Sequence, residues 1–269
     1  MRLWCTSWVL AGLLSMALPV AAEDREALLQ AADTKVNGEY TRQRFLAVQK
    51  MPFEPTDSRK KALIIGDSHA QDFFNGVLEN GYLSKYQLRT RYIPTRCQLT
   101  WGDEGGAFIQ PKDAALCAES DNLMQAAAQI AEADVVILVA RWQEWAAQRL
   151  PVTLHNLKLR PDQQLVVVGA KDFGKVSLRN YLKLSDTELR ELRNKVDPKP
   201  LAANQLLRAS LGDAVFIDQQ RLICGEGETC RLFTDELELM SYDGGHLTPA
   251  GAKYVGKVLF SSSLLQGLQ

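Results

Sequence analysis

The chain has 269 residues, 46% of them apolar and 23% charged, with 31 Lys and Arg against 32 Asp and Glu for a formal net charge of −1. A chain of this length and hydrophobicity buries a full core. Its balanced charge argues against nucleic acid or an anionic membrane surface as a partner.

At the start, Arg2 precedes an apolar stretch from Leu3 to Val20, and Val20-Ala21-Ala22 supplies small residues ahead of Glu23. This pattern predicts a secretory signal over residues 1–22 and a periplasmic or secreted mature chain. A permanent anchor is the competing reading, because the stretch is near the ~17-residue lower limit for spanning a bilayer. Residues 23–60 are polar and mixed, an N-terminal extension with Met51-Pro52-Phe53-Glu54-Pro55 as its linker; residues 61–269 form one domain.

Ala62 to Ile65 predicts a strand buried on both faces that breaks at Gly66-Asp67-Ser68 into a helix over 69–80, with Phe73, Phe74, Val77 and Leu78 on one side. Leu88 to Ile93 is a further strand, followed by a helix over 121–132 and a strand over Val135 to Ala140 that runs into Arg141-Trp142. His155, within Pro151 to Leu157, reads as a solvated loop residue. Leu165 to Val168 is a strand, and Ser185-x-x-Glu188 is a capping box opening a helix over 186–196. A helix over 201–211 precedes a strand over Ala214 to Ile217. Thr248-Pro249 starts a last helix whose Tyr254, Val255, Val258 and Leu259 face the core. Strand and helix alternate, which implies a three-layer α/β/α sandwich around a mostly parallel, flavodoxin-like sheet, with ligands at the carboxyl ends of the strands.

With Cys5 in the signal, four cysteines remain in an oxidising compartment and suggest two bridges. Three pairings are possible; Cys97–Cys117 with Cys224–Cys230 is the local one. Their spacing does not suit a metal site.

Ser68, at the strand-to-helix turn, is placed for a nucleophile over the sheet edge. Asp243-Gly244-Gly245-His246-Leu247-Thr248 supplies a base in His246 and, three residues earlier, an orienting carboxylate in Asp243. His69, in the first turn of the helix, has no chemical role in this scheme, which needs neither cofactor nor metal.

Gly66-Asp67-Ser68-His69-Ala70, the strand ending Ala140-Arg141-Trp142, the late pair Cys224 and Cys230, and Tyr242-Asp243-x-x-His246-Leu247-Thr248-x-x-Gly251-Ala252 together resemble the SGNH (GDSL) hydrolase superfamily. They are most similar to the SGNH domains attached to membrane acyltransferase-3 proteins that O-acetylate bacterial surface polysaccharides, over about residues 60–258. The resemblance implies a serine acyl-enzyme handling O-acetyl groups on an envelope or exported polysaccharide, with a separate membrane acyltransferase as acetyl source. One departure stands out. Where typical members carry a Gly-x-Asn-Asp block whose asparagine donates to the oxyanion, this chain has Ala140-Arg141-Trp142, so Arg141 or the Trp142 indole is the expected replacement beside the Ser68 N–H. Trp101, Arg141, Trp142 and Trp145 are candidates for lining a sugar groove. An esterase of the same fold and a catalytically silent carbohydrate-binding module are the alternatives to a transferase.

Overall fold

The computed structural model describes residues 20–269. The signal expected over residues 1–22 lies outside the described residues apart from Val20–Ala22, which open a helix. Among the described residues no helix is long and apolar enough to cross a membrane.

Helices α1 (Val20–Ala31) and α2 (Thr34–Ala47) come first, followed by β1 (Lys60–Gly66), α3 (Ser68–Glu79), β2 (Tyr86–Tyr92), α4 (Ala114–Glu119), α5 (Ala127–Glu132) and β3 (Val135–Val139). The chain continues through α6 (Glu144–Leu157), β4 (Gln164–Val168), α7 (Leu178–Tyr181), α8 (Asp186–Glu191), β5 (Arg193–Lys195) and α9 (Pro198–Leu211). It ends with β6 (Phe216–Ile217), α10 (Gln219–Cys224), β7 (Thr229–Arg231), α11 (Pro249–Leu259) and α12 (Ser263–Gln266).

Five parallel strands form the sheet in the order β2-β1-β3-β4-β6, with β5 and β7 as a separate antiparallel pair. Alternation along the strands divides the core. Ala62, Ile64, Ile137 and Val168 meet α3 and α11 on one face; Leu63, Ile65, Leu138 and Val167 meet α5, α6 and α9 on the other. The sandwich is therefore three-layered, as the alternating pattern implies. Its order reverses between β1 and β3, and a crevice opens at the carboxyl ends of strands at such a switch point. Gly66 of β1 is level with Val139 of β3, so the loops that follow them emerge side by side. A Cβ on Gly66 would overlap the Val139 carbonyl oxygen, so only glycine lets the two strand ends approach this closely.

The N-terminal segment is packed against this sandwich. Phe45 of α2 meets Phe74 of α3 edge-on at 5.8 Å, Arg44 pairs with Glu79, and Phe53, within the segment expected as a linker, is buried in the second core.

Several expected boundaries move, each for a local reason. The helix expected over 121–132 begins only at Ala127, because the side chains of Asn122 and Gln125 bond each other's backbone N–H and hold a turn. The capping box at Ser185 forms, but its helix ends at Glu191, and residues 193–195 pair with β7 instead. Asp197 caps α9 and Pro198 occupies its first position, so that helix starts before residue 201. Leu78, expected on the buried side of α3, is 36% exposed near the helix end. His155 sits on the exposed face of α6 rather than in a loop; Pro151 is inside this helix, on its exposed side.

Both local bridges are formed, Cys97–Cys117 and Cys224–Cys230. Replacing Cys97 and Cys117 with alanine is expected to lower stability by about 3 kcal/mol, the chain-entropy value for a loop of about 20 residues. A urea melt of the variant against the parent checks this; an unchanged midpoint would refute it.

Candidate active site

The site is assembled where β1, β3 and the segment before α11 meet. Asp67 organises it. Its Oδ1 accepts from the His69 N–H at 2.9 Å, capping α3, and its Oδ2 accepts from Thr95 Oγ at 2.7 Å and from the Arg141 N–H at 2.9 Å. One buried carboxylate thus ties the loops after β1, β2 and β3 together. Burial pushes this carboxyl up, and the three donors act against that push. The sequence shows Asp67 only as part of a motif; its position directly before a helical run is the signal for its capping role.

Ser68 begins α3, so its N–H has no intrahelical acceptor and lies at the positive end of the helix. Its Oγ is 2.8 Å from His246 Nε2, and His246 Nδ1 is 2.6 Å from Asp243 Oδ2. The carboxylate fixes the proton on Nδ1, which leaves Nε2 free to accept from the serine hydroxyl. Residues 178 positions apart in the chain thereby meet in one hydrogen-bonded row.

The loop carrying His246 is held on every side. Asp243 Oδ1 accepts from the N–H groups of Gly245 and His246, and Ser241 Oγ accepts from the Gly244 N–H and donates to the His246 carbonyl. The Phe173 N–H donates to the Gly244 carbonyl at 2.7 Å, and the Tyr242 ring stacks on the imidazole at 5.8 Å. Gly244 has φ +94°, and a Cβ there would overlap the Gly174 carbonyl, so this turn requires glycine.

Electrostatics match the geometry. Burial acts to lower the His246 value, but the Asp243 hydrogen bond and the charges of Asp72 and Asp243 outweigh it and place it above the usual 6.5. Burial acts to raise Asp243, yet its bonds to His246 and the two loop N–H groups hold it down at about 2. A base must be neutral to act, so activity is expected to rise with pH through a midpoint above ~6.5, with Asp243→Asn moving that midpoint down. A pH profile of kcat/KM checks both. The stability signs follow: the His246 contribution is present below ~6.5 and is lost as pH rises through the folded value, whereas that of Asp243 is present above ~3.9 and is lost as pH falls toward 2.

Arg141 and Trp142, expected as oxyanion donors, are placed differently from each other. The Trp142 indole N–H donates to the Val168 carbonyl at 2.9 Å, inside the fold, and is therefore not free to bind an oxyanion. Arg141 is exposed at the mouth of the site and its guanidinium lies 3.6 Å from Asp197. Two clefts meet at these two residues. One, of about 660 Å³, is lined by Trp142, Gln143, Trp145, Pro198 and Pro200; the other, of about 570 Å³, is lined by Asp243, His246, Lys175 and Lys195. Trp101 packs in the second core and lines neither. His69 is buried beside His246, with ring centroids 6.3 Å apart; burial and then the nearby cations push its value well below the usual range, so it is neutral. Among the described residues no group of three His, Cys, Asp or Glu side chains is placed to hold a metal ion.

The family model described as an SGNH domain fused to AT3 domains matches residues 35–260. No curated protein matches the sequence. Among solved structures, the lipopolysaccharide acetyltransferase periplasmic domain of Salmonella ser. Paratyphi A is similar over 89% of this chain and 99% of that chain, with a TM-score of 0.58 and 16% identity. At that identity the likeness speaks for the fold.

Proposed function

Because the chain belongs to the family of SGNH domains that are fused to AT3 domains, we propose that it is a periplasmic O-acetyltransferase that works through a Ser68 acetyl-enzyme on an envelope or exported polysaccharide. The observation that carries this reading is the row Ser68–His246–Asp243 at the carboxyl edge of the sheet, with links of 2.8 and 2.6 Å. The catalytic domain is residues 61–269, exported by the leader over 1–22, and a separate membrane acyltransferase supplies the acetyl group.

In the first half-reaction His246 Nε2 takes the Ser68 proton while Oγ attacks the carbonyl carbon of the acetyl donor. The Ser68 N–H stabilises the oxyanion, and the exposed Arg141 guanidinium is the second donor once substrate displaces Asp197 from it. The imidazolium returns its proton to the leaving oxygen, leaving acetyl-Ser68. In the second half-reaction His246 deprotonates a sugar hydroxyl, which attacks the acetyl carbonyl; the tetrahedral species collapses, the acetyl group moves to the sugar and Ser68 recovers its proton. Water is present at ~55 M, so transfer depends on the effective molarity of a sugar held in place.

The cleft beside Trp142 and Trp145 is the place for that sugar. Trp145 stacks on Phe108 at 5.0 Å and its indole N–H donates to Gln143 Oε1, which fixes a flat apolar ring at the cleft. Trp145→Ala is expected to raise the acceptor KM about ten-fold, the scale for truncating an aromatic anchor. An unchanged acceptor KM would remove the cleft from the scheme.

Hydrolysis to free acetate is the second reading, favoured by the 30% exposure of the His246 side chain, which admits water. Incubation of the purified protein with a chromogenic acetyl ester, with and without an oligosaccharide acceptor, separates the two. The proposal requires acetylated sugar to exceed free acetate when acceptor is present; rapid acetate release indifferent to acceptor makes the protein an esterase.

A further inference from the structure

Beneath the Ser68–His246 pair lies an ion pair that the scheme above does not use. Lys171 Nζ donates to Asp72 Oδ2 at 2.6 Å and to the Gly245 carbonyl at 2.8 Å, and both side chains are 1% exposed. Asp72 Oδ1 accepts from the Leu247 N–H at 3.2 Å. Asp72 is four residues after Ser68 on α3 and therefore one turn below it on the same face. The pair thus bonds the residues immediately before and after His246 to the helix that carries Ser68.

A buried ion pair adds little stability over apolar side chains of similar volume, because both charges lose their hydration. Directed bonds to the loop and opposed charges beneath the imidazole are what apolar residues cannot supply. We propose that Asp72 and Lys171 are positioning residues for the catalytic base, fixing the His246 loop against α3 and balancing the charge beneath it. The inference rests on the reading of Ser68 and His246 as nucleophile and base.

The charged and titratable groups facing His246 are Asp243 and Tyr242 on its own segment, His69 and Asp72 on α3, Lys171, Asp172 and Lys175 after β4, Lys195 and Asp197 around β5, and Arg141 after β3. Of these, Asp72 and Lys171 act on it with opposite signs: the Asp72 charge raises its basicity and the Lys171 charge lowers it.

The test is a cycle of Asp72→Asn, Lys171→Met and the double variant. His246 is one of three histidines, so its titration can be followed by NMR alongside kcat/KM for a chromogenic acetyl ester. Asp72→Asn should lower the His246 midpoint and the acid limb of the profile by about one pH unit, and Lys171→Met should raise both by a similar amount, the scale of one charge removed at short range. The double variant should return near the parent midpoint, yet with kcat reduced about ten-fold or more and KM little changed, because the loop has lost its tether. If either single variant fails to fold, the double, which buries no unpaired charge, decides through kcat. Folded single variants with an unmoved midpoint, or a double variant with the parent kcat, overturn the proposal. Ser68→Ala is the control. Full activity in that variant would instead overturn the assignment of nucleophile and base on which the inference stands.

Discussion

Ser68→Ala is expected to lower acetyl transfer and ester hydrolysis by ~10⁴-fold or more, leaving only what binding and the oxyanion donor provide. The fold should survive, because Ser68 is half-buried and among the described residues its Oγ bonds only His246 Nε2, while the cap of α3 is made by Asp67. The two effects are therefore separable. Circular dichroism and a thermal melt should match the parent, and labelling by a serine-directed fluorophosphonate should vanish. Undiminished labelling of the variant would place the nucleophile elsewhere.

Asp243→Asn should cost nearly as much, ~10⁴-fold in kcat, by a different route. Asn keeps an oxygen for the Gly245 and His246 N–H groups that now bond Asp243 Oδ1, so the loop retains its course. Its amide would face His246 Nδ1 as a donor. That moves the imidazole proton to Nε2, which then presents N–H to Ser68 Oγ and cannot accept the serine proton. Kinetics of the folded variant check this, and a loss below ten-fold would show that the Asp243 carboxylate is not what orients the imidazole.

The sheet and its three layers are legible in the sequence because strands buried on both faces leave continuous apolar runs, as in Ala62–Ile65 and Val135–Val139. The Ser68, Asp243 and His246 row is legible for another reason: a strand-to-helix turn and a loop before a capped helix each constrain where their side chains point. Periodicity carries no such information for what lies beneath. Lys171 stands in Val168-Gly169-Ala170-Lys171-Asp172-Phe173, where a charged residue after a strand reads as solvated loop, and only its partners Asp72 and Gly245 show that it is buried. Helix α6 is not legible in the sequence because Pro151 lacks the N–H that an interior helical position donates, and yet the helix runs through it from Glu144 to Leu157. Trp142 follows β3 as a donor should, yet the direction of its indole is set by packing under β4, which spacing along the chain does not encode.

The proposed mechanism requires acetyl to pass through Ser68. It is tested most directly by mixing the purified protein with an acetyl donor, quenching in acid, and reading the peptide containing Ser68 by mass spectrometry before and after adding an oligosaccharide acceptor. The expected result is one acetyl group on Ser68 that disappears on addition of acceptor as acetylated sugar accumulates. Acetylated sugar formed at full rate with Ser68 unmodified throughout would contradict the account.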